Sequence, residues 1–371
     1  MKILVVNWRC IKNPEAGGAE IHMHEIFRRV ASMGHDVTLV AHAYKGAPKE
    51  ETIDGIKTIR IGNRYLFHYA FKHYYKKHLK GLFDIVVDDI SKIPLFTPQY
   101  VKEPLVGISL HIHGKTLYKE LPKLVADYII KRELRIPEVY KGKLIFADSP
   151  SARDELVRMG HAADRTALLY AGIDHELFKN NTALKSERPL ISYIGRLKRY
   201  KQVDLIVKAM PLILKEFPEA VLEIGGRGDD LPTIEAAVKE LGLEKSVRFL
   251  GFLSEEEKAK AMARATITAT MAEKEGWGIT VIESNAAGTP VVGSNVQGLR
   301  DSIVDGKTGL LVEPGSSSDL AQKIILLLKD KERLQKMEAE AKAWAATFTW
   351  ERSAEEFIEA AQKEIKNFEC K

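Results

Sequence analysis

Short apolar runs alternate with longer amphipathic stretches along nearly the whole chain, and few folds accept that order. Lys2–Asn7, Asp36–Ala41, Asp84–Val87, Leu105–Ser109 and Leu144–Asp148 read as strands. They are too short for helices and rich in Val, Ile and Leu, which suits strands covered on both faces. The same style returns in Leu190–Ile194, Ala220–Ile224, Val247–Leu250, Thr266–Ala269 and Pro290–Gly293. Helical segments of roughly 10–15 residues lie between them, an alternation that predicts doubly wound parallel sheets. At 371 residues the chain outgrows one core. Two α/β domains are therefore predicted, 1–174 and 175–348, with the polar stretch His175–Pro189 as linker. Residues 349–371 read as an amphipathic helix whose aromatic face must dock on one of them. Two such domains facing each other create a cleft at the C-terminal ends of their strands.

Composition narrows the setting. Hydrophobic residues make up 45%, and no apolar run approaches the ~20 residues of a membrane span. Met1-Lys-Ile-Leu-Val-Val-Asn7 reads as a strand rather than a leader, because polar residues follow at once. Two cysteines at opposite ends, Cys10 and Cys370, argue against a disulfide framework and for a reducing cytoplasm. Residues 1–174 carry 27 Lys and Arg against 20 Asp and Glu, and the remainder carries 29 against 31. That excess is too modest for a nucleic-acid partner, but it suits an anionic membrane or a phosphorylated acceptor. Residues 63–80 hold five Lys and Arg, three His and no acid, with Phe67, Phe71 and Tyr74 at helical spacing. Such a helix either lies peripherally on an anionic membrane surface or buries its aromatics in a core and solvates its lysines.

Several motifs carry chemistry. Arg196 and Lys201 follow a strand ending at Gly195, and two cations at that spacing can reach one pyrophosphate. Glu275 and Glu283 flank Gly276-Trp277-Gly278-Ile279-Thr280, where a loop enters a helix. The N–H groups of Gly278, Ile279 and Thr280 would face a phosphate, and carboxylates suit vicinal diols. A competing reading makes Thr280-x-x-Glu283 a capping box of a helix that starts at Val281. Gly17-Gly18 opens the first helix, where backbone N–H groups favour an anion such as a β-phosphate or a phosphorylated acceptor. It is not G-x-G-x-x-G, so the nicotinamide dinucleotide fingerprint is absent. Gly225-Gly226-Arg227-Gly228 and Gly251-Phe252 end two further strands, leaving Arg227 for a base or phosphate and Phe252 beside the base. His113, in His111-Ile-His113-Gly114, follows an apolar strand and would point into the cleft, with His111 on the same side but deeper. A structurally satisfied histidine is the rival reading. No third ligand accompanies the pair to suggest a metal.

In order and spacing these motifs, with Tyr170-Ala-Gly172-Ile-Asp174, Gly288-Thr-Pro290 and Asp305-Gly306-Lys-Thr-Gly309, resemble the retaining glycosyltransferases of family 4. The resemblance covers nearly the whole length. It implies the GT-B fold: two Rossmann-like domains, the first binding the acceptor and the second a nucleotide sugar such as a UDP- or GDP-hexose. It implies metal-independent transfer of a hexosyl group to a glycan, lipid-linked or small-molecule hydroxyl, with no cofactor. In the family the counterparts of Arg196 and Lys201 hold the donor diphosphate. Those of Glu275, Glu283 and His113 contact the donor sugar, the ribose and the reacting sugar. Two alternatives remain open at this level: a nucleotide-sugar epimerase of the same fold, and a sugar-nucleotide binder without catalysis.

Overall fold

The computed structural model describes residues 1–119, 121–179 and 185–370. The chain forms two compact units, Met1–Gly172 with Trp350–Lys371, and Ile173–Thr349. The first is built on an eight-stranded sheet: β1 (Lys2–Val6), β2 (Asp36–His42), β3 (Glu50–Ile53), β4 (Ile56–Ile61), β5 (Ile85–Asp89), β6 (Leu105–Ile108), β7 (Leu144–Ala147) and β8 (Thr166–Leu168). Their order is β3-β4-β2-β1-β5-β6-β7-β8, parallel except for the β3–β4 hairpin. That hairpin turns on Asp54-Gly55, both at positive φ (46° and 82°), as a tight two-residue reversal requires. The second unit has β9 (Leu190–Ile194), β10 (Val221–Gly225), β11 (Val247–Gly251), β12 (Ile267–Thr270), β13 (Val291–Ser294) and β14 (Gly309–Val312). Their order is β11-β10-β9-β12-β13-β14, and every pairing is parallel.

Each sheet reverses its winding once, between β1 and β5 in the first unit and between β9 and β12 in the second. At such a switch point the flanking connections leave in opposite directions and open a crevice at the carboxyl ends of the strands. These are the places where a ligand can reach backbone.

The helix Trp350–Glu369 belongs to the first unit, though the chain reaches it last. Phe357 packs edge-on to Phe27 at 4.9 Å, and Trp350 sits 5.9 Å from the His22 ring. Arg29–Glu351 and Arg165–Glu364, both at 2.5 Å, pin its flanks. The expected linker is partly structured. His175–Lys179 is helical, 180–184 fall outside the described residues, and Lys185 binds the carbonyls of Ala265 and Gly288.

In residues 63–80 the aromatic stripe is core. Phe67, Phe71, Tyr75 and Leu79 are buried, at spacings of four. Tyr75, rather than the expected Tyr74, continues the stripe, because Phe67–Tyr74 runs on into a π-helical turn, Tyr75–Leu79. The lysines Lys72, Lys76, Lys77 and Lys80 face solvent.

Candidate functional site

At the switch point of the second sheet, backbone hydrogen bonds draw three strand ends together. Gly195 N–H donates to Gly225, Leu197 N–H to Arg227, Asp230 N–H to Leu197 and Gly226 N–H to Gly251. The approach is so close that a Cβ on Gly226 would lie 1.8 Å from the Gly195 carbonyl oxygen, and one on Gly228 1.8 Å from that of Leu197. Glycine is demanded there by sterics, and the result is a rigid shelf carrying Arg196, Arg227 and Phe252. Arg196 is exposed and donates to the Tyr200 hydroxyl at 3.1 Å. Arg227 lies over the Phe252 ring at 5.0 Å, so a cation–π contact organises it rather than an anion. Phe252 is 64% exposed.

Opposite this shelf runs the loop that follows β12. Glu275 N–H donates to the Gln297 carbonyl, and Gly298 lets the strands cross, since a Cβ there would meet the carbonyl oxygens of Glu275 and Gly276 at 2.5 Å. Trp277 is buried, its ring 5.1 Å from Phe348. The indole thus anchors the loop from below. The flanking glycines leave the backbone of this loop, rather than the indole, for a ligand to approach. Gly278 at φ 84° is the N-cap of the helix Ile279–Ala286, which has no side-chain cap. A capping box at Thr280 is thereby excluded, and Glu283 falls inside the helix.

The loop and the shelf meet through one ion pair. Lys201 Nζ binds Glu275 Oε2, with both side chains mostly buried. Glu283 pairs with Lys258 at 2.6 Å, a partner that sequence spacing did not suggest. Burial pushes the Glu283 carboxyl above its usual range, although Lys258 opposes the shift. Its Oε2 is buried without a hydrogen-bond partner. A buried acceptor left open costs stability, and a ligand hydroxyl would satisfy it.

In the first unit, His113 lies beyond the end of β6, in a loop, so the strand-face argument for it and His111 does not apply; their rings meet edge to face at 4.7 Å. A residue that sequence reasoning missed holds this loop. Buried Glu133, on the helix Lys123–Glu133, accepts the N–H of His113 and of Gly114, both at 2.8 Å, and stands 3.1 Å from His113 Nδ1. An ionised carboxylate only accepts, so the ring proton belongs on Nδ1, and a neutral His113 presents Nε2 as an acceptor. Gly17 and Gly18 begin the helix Gly18–Ser32. Gly17 N–H is already taken by Glu20 Oε2 at 2.8 Å, so one of the donors expected for a phosphate is in use. Among the described residues no group of three or more His, Cys, Asp or Glu side chains is placed to hold a metal ion.

Two family profiles divide the chain between them. Residues 16–177 match Glycosyltransferase Family 4, and residues 174–344 match Glycosyl transferases group 1. A D-inositol 3-phosphate glycosyltransferase of Nocardia farcinica is 30% identical over 70% of this chain and 57% of its own length. Its namesake in Corynebacterium diphtheriae is 26% identical over 92% and 88%. Among solved structures, Anabaena HepE in complex with UDP and glucose superposes with a TM-score of 0.77 at 19% identity, covering 98% of this chain and all of that one. The paired sheets, the order of the motifs along them and the two adjoining profiles place this chain in glycosyltransferase family 4, with the GT-B fold.

Proposed function

We propose that the protein is a retaining, metal-independent hexosyltransferase that takes its sugar from a nucleoside diphosphate donor, UDP- or GDP-linked. The observation that carries this is the meeting of Lys201 with Glu275 beside Arg196 and an uncapped helix N-terminus. Arg196, Lys201 and the N–H groups of Gly278, Ile279 and Thr280 receive the diphosphate. Glu275 binds the sugar hydroxyls, Glu283 Oε2 accepts from the ribose, and Phe252 with Arg227 flanks the base. The arriving diphosphate competes with Glu275 for Lys201, so donor binding releases the carboxylate toward the sugar. As the anomeric C–O bond breaks, its electron pair passes to the diphosphate, where fixed cations and dipoles stabilise the developing charge. The acceptor oxygen then bonds to the anomeric carbon on the face the diphosphate leaves, and its proton goes to a departing phosphate oxygen. His113 Nε2, oriented through Glu133, accepts from a hydroxyl of the reacting sugar.

With the charge of the leaving group met by side chains and amides, turnover of UDP- and GDP-hexoses is expected to persist in EDTA, and α-donors are expected to yield α-products. NMR of the anomeric proton after incubation with an acceptor panel checks both points. A β-product would refute retention, and loss of turnover in EDTA would refute metal independence.

We also propose that the first unit attaches peripherally to an anionic membrane on its cytoplasmic side. No helix among the described residues is long and apolar enough to cross a membrane. The buried stripe of residues 63–80 cannot insert, but Tyr65 and Leu66 are 75% and 55% exposed beside Arg64. On the helix Lys123–Glu133, Leu124 is 83% exposed with Tyr128 at 46%, next to Lys123 and Lys131. Cosedimentation is expected with phosphatidylserine vesicles and not with phosphatidylcholine alone, and a Leu124→Glu, Tyr128→Glu variant is expected to lose it. Equal binding by that variant would sink the assignment.

A further inference from the structure

The switch point of the first sheet holds two buried polar side chains that the reading above does not use. Asp88 and Asp89 end β5 and, as neighbours on a strand, point to opposite faces. Asp88 Oδ2 accepts from the hydroxyls of Thr97 and Tyr140, while its Oδ1 is buried without a partner among the described residues. The side chain of Asp89, a residue only 4% exposed, makes no hydrogen bond or ion pair among the described residues. Beside it stands Asn7. β1 and β5 pair Val6 with Asp88, so Asn7 and Asp89 each lie one residue beyond that pair, on the side of the helix Gly18–Ser32. Asn7 is 2% exposed and lends Oδ1 to Arg9 N–H at 3.4 Å, while its amide nitrogen has no partner among the described residues. The hollow it lines also touches Arg9 and Glu20.

We propose that Asn7 and Asp89 form a subsite for an uncharged hydroxyl of the acceptor, which donates to Asp89 and accepts from Asn7. The inference rests on the transferase reading and narrows its acceptor to a neutral polyol or sugar edge at this point. A phosphate fits poorly. Burial, then the Glu20 and Asp88 charges, hold the Asp89 carboxyl well above the usual carboxylate range, which marks the field here as negative. Glu20 lies on the same side, where its Oε2 accepts the Gly17 N–H at 2.8 Å. Arg9, which lines the hollow, is committed to Glu15 at 2.6 Å and stands 3.9 Å from Glu20. An additional anion would meet repulsion, whereas a hydroxyl satisfies two orphaned groups at once.

Saturation-transfer NMR on the full chain, with myo-inositol as a neutral polyol and inorganic phosphate as an anion, tests this in the presence of UDP or GDP. The wild-type protein is expected to bind myo-inositol, and phosphate is expected not to displace it. Asp89→Asn and Asn7→Ala should each weaken polyol binding about tenfold or more, with nucleotide affinity and melting temperature near wild type. Unchanged polyol affinity in both variants, displacement by phosphate, or no polyol signal from a nucleotide-bound wild-type protein each overturns the subsite. A wild-type protein that binds neither nucleotide overturns instead the transferase reading on which it rests.

Discussion

Lys201→Ala is expected to lower kcat/KM for the nucleotide sugar by about two to three orders of magnitude, the usual cost of removing one preorganised group that meets transition-state charge. The side chains of Lys201 and Glu275 are mostly buried, with exposures of 15% and 22%, so either deletion leaves a charge without its partner and costs some stability as well. The companion variant Glu275→Ala separates a catalytic pair from a merely structural one. If the ion pair only tied the loop to the shelf, either deletion would damage the site alike. In the proposed mechanism the effects diverge. Loss of Lys201 weakens nucleoside diphosphate binding and turnover together. Loss of Glu275 frees Lys201 for the diphosphate, so nucleotide affinity holds or rises while kcat falls. Initial-rate kinetics combined with calorimetric titration of UDP and GDP resolve the two patterns. Parallel losses of affinity and turnover in both variants would sink the assignment.

What could be read in advance was local. Strands such as Leu190–Ile194 and Val247–Gly251 announce themselves by composition, and Arg196, Lys201 and Glu275 by position after strand ends. The β3–β4 hairpin has only Asp54-Gly55 as its local signal, and it interrupts the strand–helix rhythm that marks the rest of the sheet. β8, of three residues, is too short to show periodicity. The rest depends on contacts that no local pattern encodes. Glu133 reaches the His113 loop from a helix 20 residues on, Lys258 meets Glu283 across 25, and the ring covering Trp277 belongs to Phe348. That Trp277 is buried between its two glycines could not be read locally, because the partner that covers it arrives only with the tertiary fold. The loop Gly225–Gly228 was legible as the end of a strand, but not the backbone junction that requires its glycines, and that requirement is measurable.

Gly226→Ala is expected to be among the most destabilising single substitutions in the second unit. The new Cβ would sit 1.8 Å from the Gly195 carbonyl oxygen and 2.9 Å from its carbon, and Gly226 holds φ at +137°. Neither contact is the end of a flexible side chain, so relief requires the β9 and β10 ends to separate. Separation breaks Gly195 N–H to Gly225 and Leu197 N–H to Arg227. Backbone strain and lost hydrogen bonds together place the cost at about 4 kcal/mol, which for a unit of this size lowers its melting temperature by roughly 10 °C. Gly251→Ala supplies the control. Its φ is also positive, at +69°, yet nothing lies within 4 Å of the added Cβ, so only the ~1 kcal/mol of left-handed strain applies. Thermal unfolding of the two variants side by side compares a positive-φ glycine whose Cβ would collide with one whose Cβ would meet open space. Melting temperatures that fall equally would mean that the strand ends are free to part, and Arg196 would then sit on a loop that yields rather than on a shelf that holds it toward the diphosphate.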